Sequence, residues 1–392
     1  MRPLPALLLA LAACSVPLSG GPCQSDLNCP SGQGCDPSSG TCVECNANEF
    51  MVNPAHQTGG DPAYASRCWF GTLTAALAAA GATGQAAVVK AAGWSSGEVV
   101  FSQARGESFP LSVPANVSLT TIDSPPVPSR YVVELDANAA AAVQLREGSG
   151  LSGFTVRRGS GTAADGVLVA CGGAGGVNVA SVALDGKGST GSSGITNGVR
   201  LTGPCSATVR GVSVANMGGA GIRVESSGTA QVTVSGSTLA GNGDSGLQIR
   251  LTGSAGAAIS GNDITGNSGT LAFGGRTAGG VLIYSGVPAS VAFTGNCVHG
   301  NAGDQVMVVP SSSGWNLSGG SGAAACTSSP RTYNVFSAYA GGVGVSSVSL
   351  GVVDARFNSW ANVPPTSGAD FFGPVNASGP GNEYCPVVSC PP

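Results

Sequence analysis

The chain has 392 residues, of which 42% are hydrophobic and only 9% charged, with 63 glycines, two lysines and a formal net charge of −4. Such a balance offers none of the clustered Lys and Arg that phosphate backbones and anionic bilayers attract, which excludes nucleic acid as a partner. The glycine content alone would suit low complexity, but Val, Ile and Leu recur at fixed spacing and argue for a packed core rather than disorder.

The N-terminus reads as an address. Met1 and Arg2 form a minimal charged start, residues 4–11 are apolar but too few to span a bilayer, and Leu11-Ala12-Ala13-Cys14 follows. This resembles the bacterial lipoprotein signal with its lipobox. The resemblance implies a signal peptide over residues 1–13, acylation of Cys14 and a lipidated tether over 14–22; an ordinary secretory signal beside a chance cysteine is the alternative. In that family three acyl chains exceed the two-signal requirement for stable anchoring, so the expected partner is the membrane, held through lipid without a spanning helix. Ser15 stands where enterobacterial inner-membrane lipoproteins carry a retention aspartate, which favours the outer membrane of the cell envelope.

Thirteen cysteines less Cys14 leave twelve, an even number compatible with six disulfides in an oxidising compartment. Cys23, Cys29, Cys35, Cys42 and Cys45 crowd the stretch 23–68, and Cys68 supplies its sixth thiol. The text resembles the small Cys-rich module found near the start of many secreted and lipid-anchored bacterial proteins. Zinc at Cys42-x-x-Cys45 would need a second close Cys or His pair, and none completes a tetrahedral site, so no metal is expected. Downstream, Cys171 and Cys205 fall at similar places in successive repeats. Cys297 with Cys326, and Cys385 with Cys390 in a tail over 373–392, are the remaining expected pairs.

Residues 69–98 have their own character. Leu73, Ala76, Leu77 and Ala80 fall at i, i+3, i+4 and i+7, with Thr72 as N-cap and Gly81 as the stop, which predicts a short amphipathic helix over 72–80. Laid across an open solenoid end, such a helix would cover unpaired backbone and exposed core.

From residue 99 to 372 a phrase returns about every 25 residues. It opens as GVRL, GIRV, GLQI and GVLI at Gly198, Gly221, Gly246 and Gly280. After a polar gap it resumes as GVSVANMG, GSTLAGNG, GNDITGNSG and GNCVHGNAG at Gly211, Gly236, Gly261 and Gly295. Earlier copies begin at Gly166 and, as GFTVRR, at Gly153. Runs this short cannot be helices, and a unit this small buries its apolar face only against stacked neighbours. The pattern predicts an all-β fold, a parallel β-helix of about ten coils, roughly 50 Å long at the spacing of neighbouring strands. Asn242, Asn267 and Asn301 each follow a glycine at one place in three coils, which predicts a stacked asparagine ladder of structural purpose, resembling the one in pectate lyases.

TLTAAL near the helix and GESFPLSVPANVSL, at residues 106–119, resemble the N-terminal coils of a bacterial family known only as a domain of unknown function, built on the pectin-lyase-like right-handed β-helix. DARFNSWANVPPTSG, residues 354–368, resembles the Asn-x-Trp ending of such proteins. The likeness spans about residues 66–372. It implies the fold and an exported location, and it brings no established reaction and no catalytic residues.

Aligning the copies places Leu168, Arg200, Arg223, Gln248 and Leu282 in one outward column, and Ala170, Thr202, Glu225, Arg250 and Tyr284 in the next. One acid among three arginines is too few for the calcium cradle of a pectate lyase. Inverting hydrolases need paired carboxylates about 6.5–9.5 Å apart. Asp165, Asp185, Asp244, Asp263 and Asp304 mostly neighbour Gly or Asn, which reads as turn chemistry. The Gly-His-Gly and Asn-Thr-Asp phrases of those hydrolases are absent, and His299 reads as a turn or surface residue. The best candidate ligand contacts are Arg200, Arg223, Glu225, Gln248, Arg250 and Tyr284, with Phe273 and Arg276 from an insertion over 269–280. No Phe, Tyr or Trp occurs from 155 to 272, so a glycan platform belongs toward the later coils; the aromatics from Tyr333 to Phe372 read as core caps. The leading expectation is a lipid-anchored, non-catalytic β-helix that binds or displays at the cell surface, with polysaccharide as its partner and no cofactor. The alternatives are a polysaccharide lyase or glycoside hydrolase with an atypical site, and a purely structural surface protein.

Overall fold

A computed structural model describes residues 23, 29, 33–36, 40–44, 48–54, 69–93, 97–173, 175–187, 194–285, 290–309, 315–318, 332–337, 339–348, 351–377, 385 and 390. It is a parallel β-helix whose coils climb three stacked sheets. One coil shows the plan: Ile222–Ser226 lies on the first sheet, Gln231–Ser235 on the second and Thr238–Ala240 on the third. The chain then returns to the first sheet as Leu247–Leu251, with Ile222 paired to Leu247 and Ser226 to Leu251. The first sheet runs in this way from Leu111–Val113 to Phe371–Phe372 through ten strands, with short strands attached at its margins.

The polar gap between the two apolar runs therefore holds a strand of its own, as at Ala207–Arg210. GFTVRR is corrected likewise. Thr155–Arg158 belongs to the third sheet, beside Tyr131–Leu135 and Ala183–Asp185, and its coil reaches the first sheet as Ala163–Ala170.

The two glycines of the phrase do different work. Gly211, Gly236, Gly261 and Gly295 make the corner between second and third sheets with φ of 57–67°, a left-handed turn that a Cβ disfavours. Gly221 and Gly246 instead clear space: a Cβ on Gly246 would sit 2.5 Å from Ile264 and 2.7 Å from the Asn267 amide. Inside, Val199, Ile222, Leu247, Val281, Val306 and Val345 form a continuous, fully buried column. Each such side chain contributes about 1.5–3 kcal/mol on burial.

Asparagines stack in two ladders. In the first, the Asn242 side-chain amide donates to Asn267 Oδ1 at 2.8 Å and Asn267 donates to Asn301 Oδ1 at 2.8 Å. Gln305 terminates it, its Oε1 accepting from Asn301 Nδ2 at 2.8 Å. The second ladder, which sequence reasoning did not find, runs Asn262 to Asn296 to Asn334 to Asn358 at 2.9–3.0 Å. All seven asparagines are buried.

The capping helix spans Leu73–Ala82, and Thr72 Oγ1 accepts from the Ala75 N–H. Leu73, Ala76, Leu77 and Ala80 face the core, joining Phe50, Val52, Val89 and Leu111. Gly81 is not the stop: the helix runs one residue further to a cap at Thr83, and Gly81 lets it approach Pro114, which a Cβ would meet at 2.8 Å. Buried Glu107 pins the other end, accepting from Leu73 N and Thr74 N at 2.8 Å each and from Thr74 Oγ1 at 2.6 Å. Burial pushes its carboxyl above the ordinary value in spite of those bonds. Glu107→Ala should cost about 2 kcal/mol, since it orphans two helix N–H groups. Hydrogen exchange would show it as faster exchange confined to residues 73–77, and unchanged protection there would refute the assignment.

The second sheet reaches back beyond the expected boundary at 68. Glu49–Val52 pairs with Ala87–Ala91 and with Trp69–Phe70, so part of the span read as a Cys-rich module is solenoid. Ahead of it, Gln33–Asp36 and Thr41–Glu44 form an antiparallel hairpin with bonds Cys23–Cys35 and Cys29–Cys42. Cys171 and Cys205 are bonded between successive coils. Cys297 joins Cys390 across 93 residues, which replaces the expected Cys297–Cys326 and Cys385–Cys390 pairs and straps the tail to the third sheet. Cys385 is itself disulfide-bonded. Cys14, Cys45, Cys68 and Cys326 lie outside the described residues, and no helix among those described is long and apolar enough to cross a membrane. At the far end Trp360 packs on Phe336 and Phe371, with ring centroids 5.2 and 6.5 Å apart, while Phe372 stays exposed.

Candidate functional site

The outward columns of the first sheet hold the register expected of them. Arg200, Arg223, Gln248 and Leu282 are successive partners, as are Thr202, Glu225, Arg250 and Tyr284. Onto this flat face folds the insertion 269–280. Ala272–Phe273 turns back as an antiparallel hairpin on the start of Arg276–Ser285. Asp244 holds its base, accepting from Thr270 N at 2.8 Å and, through the other oxygen, from the Gln248 side-chain amide at 2.9 Å.

Phe273 then lies on Tyr284, centroids 5.9 Å apart and planes 27° apart, above a small apolar cluster of Ala278, Leu282, Met307 and Val309. A groove of about 290 Å³ results. Its floor carries Arg223, Glu225, Gln248 and Arg250, and its wall carries Leu271, Phe273 and Tyr284.

An ion network sets its charge. Glu225 accepts from Arg223 at 2.7 Å and from Arg200 at 2.9–3.0 Å. Burial alone would raise its carboxyl, but the hydrogen bonds and charges of the two arginines override this and hold it below the ordinary carboxylate value. A carboxyl so depressed contributes stability above its unfolded value and loses it as pH falls through the folded one. Arg200 also lies 3.8 Å from Asp165, a carboxylate 2% exposed that accepts from Asn197 at 2.9 Å. There burial dominates and raises the carboxyl despite the Asn197 hydrogen bond and the nearby arginines.

Six of the eight expected contacts thus share one groove. Arg200 stands outside it and reaches it through Glu225. Arg276 does not line it: both ends of its fork are bonded to buried Asp304, and it is placed 4.7 Å over the Phe372 ring. The acids read as turn residues are mostly ties between coils. Asp165 meets Asn197, Asp304 meets Arg276, and Asp263 meets His299 Nε2 at 3.0 Å. His299 itself sits on a third-sheet strand, not a turn. Leu271 is a lining residue that sequence reasoning did not find; its place two residues before Phe273 in the insertion was the available signal.

The chain matches a family described as right handed beta helix region over residues 175–321, a span that contains the whole groove. Among solved structures it is similar to the Dettilon tailspike protein (gp208), at 13% identity and a TM-score of 0.32, over 77% of this chain and 64% of that one. It is also similar to the A-module of the mannuronan C-5 epimerase AlgE6 of Azotobacter vinelandii, at 14% identity and a TM-score of 0.33, over 82% of this chain and 94% of that one. No curated protein sequence matches it.

Proposed function

We propose that this chain is a lipid-anchored protein of the bacterial envelope whose β-helix binds polysaccharide in the groove without cleaving it. The observation that carries the reading is the juxtaposition, over one sheet face, of guanidinium donors with a stacked aromatic pair and an exposed leucine. Sugars present both hydroxyls and an apolar ring face, and such a surface meets both. Among the described lining residues the one carboxylate, Glu225, is engaged by two arginines and is a poor general acid or base.

The purified chain should retain glycans from a panel of acidic and neutral chains while generating no new reducing or unsaturated ends. Tyr284→Ala should weaken that retention about tenfold. A second reading, as a lyase or hydrolase, draws on Asp165 and Glu225, whose environments push their carboxyls in opposite directions. Asp165 is 2% exposed and does not line the groove, which favours binding. Cleavage abolished by Asp165→Asn or Glu225→Gln would establish the enzyme instead, and a complete lack of glycan affinity would leave a structural role. Anchoring has its own test: Cys14→Ser should release the protein from the membrane pellet and end incorporation of labelled palmitate, whereas persistent labelling would sink the lipobox reading.

A further inference from the structure

We infer that the saccharide taken by the groove carries a negative charge, and that Arg250 is the residue that reads it. This rests on the groove being a saccharide site. Glu225 and Arg250 are direct partners on neighbouring strands, a position where opposite charges ordinarily pair. Here Glu225 is already taken by Arg200 and Arg223. Arg250 instead lies 5.7 Å over the Tyr284 ring, and no carboxylate or carbonyl among the described residues engages it. Among the residues that line the groove, two arginines thus stand against one carboxylate, on a chain whose net charge is −4.

That placement suits an anion. A guanidinium resting on a ring keeps its in-plane N–H donors for a second partner, and its fork matches a carboxylate or sulfate bidentately. Stacking also limits the rotamers that binding would have to freeze. Beside it, Leu271 is exposed and Phe273 half-buried, an apolar surface for the ring that bears the charge.

The test measures affinity of the full chain for three probes: a carboxylated glycan, the same chain after carboxyl reduction, and a sulfated glycan. The wild type should prefer the carboxylated chain over its reduced form by roughly ten- to a hundredfold, the span of a charge-assisted hydrogen bond. Added salt should narrow the gap. In Arg250→Ala, with unchanged circular dichroism, the ratio should fall to near one, and Arg250→Lys should lie between. Tight binding of the sulfated chain as well would show that charge is read, and its rejection that the planar carboxylate is; either outcome supports the assignment. Equal affinity of the wild type for charged and reduced chains would overturn this inference and leave the groove a neutral-sugar site. Binding of none of the three would remove the saccharide reading itself.

Discussion

Arg276→Ala should lower stability by about 3–5 kcal/mol, because it strands a buried charge. Asp304 is 1% exposed, and beside Arg276 its Oδ1 accepts from Val343 N at 3.0 Å. Arg276 satisfies both carboxylate oxygens with its fork, and this bond, ahead of the opposing effect of burial, raises its own already high value further. Lysine restores the charge but not the fork, so Arg276→Lys should recover only part of the loss. Asp304→Asn removes the charge that needs a partner and should cost less than Arg276→Ala. The same ion pair fastens the hairpin that carries Phe273, so Arg276→Ala should also weaken glycan retention, with faster hydrogen exchange over residues 269–285. Urea unfolding within 1 kcal/mol of the wild type would show that the pair is not what holds the wall.

The solenoid was legible because its core column is written in Val, Ile and Leu beside glycines that recur with it. Ala207–Arg210 turns Thr208 and Arg210 outward and Gln231–Ser235 turns Gln231, Thr233 and Ser235 outward, and a strand with only two inward apolar residues looks like a gap. Ala139–Leu145 is mostly alanine, which carries no period, so this first-sheet strand leaves no signal and GFTVRR reads as an opening phrase although it lies on the third sheet. The second asparagine ladder advances by 34, 38 and 24 residues as loops intrude, which hides it from any fixed-period search.

The groove shows the same division between local and distant information. Its floor could be read by aligning copies, since register in a stacked parallel sheet follows from the repeat. Its wall could not. Whether residues 269–280 fold back over the sheet depends on Arg276 reaching Asp304, 28 residues on, and on Phe273 finding Leu282 and Tyr284. The Cys297–Cys390 strap, closing 93 residues, is set by where the tail returns along the third sheet, and no spacing rule anticipates it.

Asn267→Ala should cost on the order of 3 kcal/mol, because every polar group it touches is buried and would lose a partner at once. Its Oδ1 accepts from Asn242 N at 3.0 Å and Asn242 Nδ2 at 2.8 Å, while its amide donates to Leu239 O at 3.0 Å and Asn301 Oδ1 at 2.8 Å. Those partners have no water to turn to: Asn242 and Asn301 are 1% and 0% exposed. Asn267→Asp separates the ladder's geometry from its chemistry. It keeps the accepting oxygens, loses both donated bonds and installs a buried carboxylate with no cation beside it among the described residues. Such a group would have its folded-state value raised, so the penalty should grow as pH rises through that value and shrink on acidification. The alanine variant has nothing to titrate and its deficit should stay constant over the same range. Glycan affinity of either variant, measured well below its unfolding temperature, should match the wild type, since the ladder lies at the corner after the third sheet and lines no part of the groove. Unchanged melting of Asn267→Ala would mean that the stacked amides merely fill the corner. A pH-dependent deficit for aspartate alone would show that they hold it.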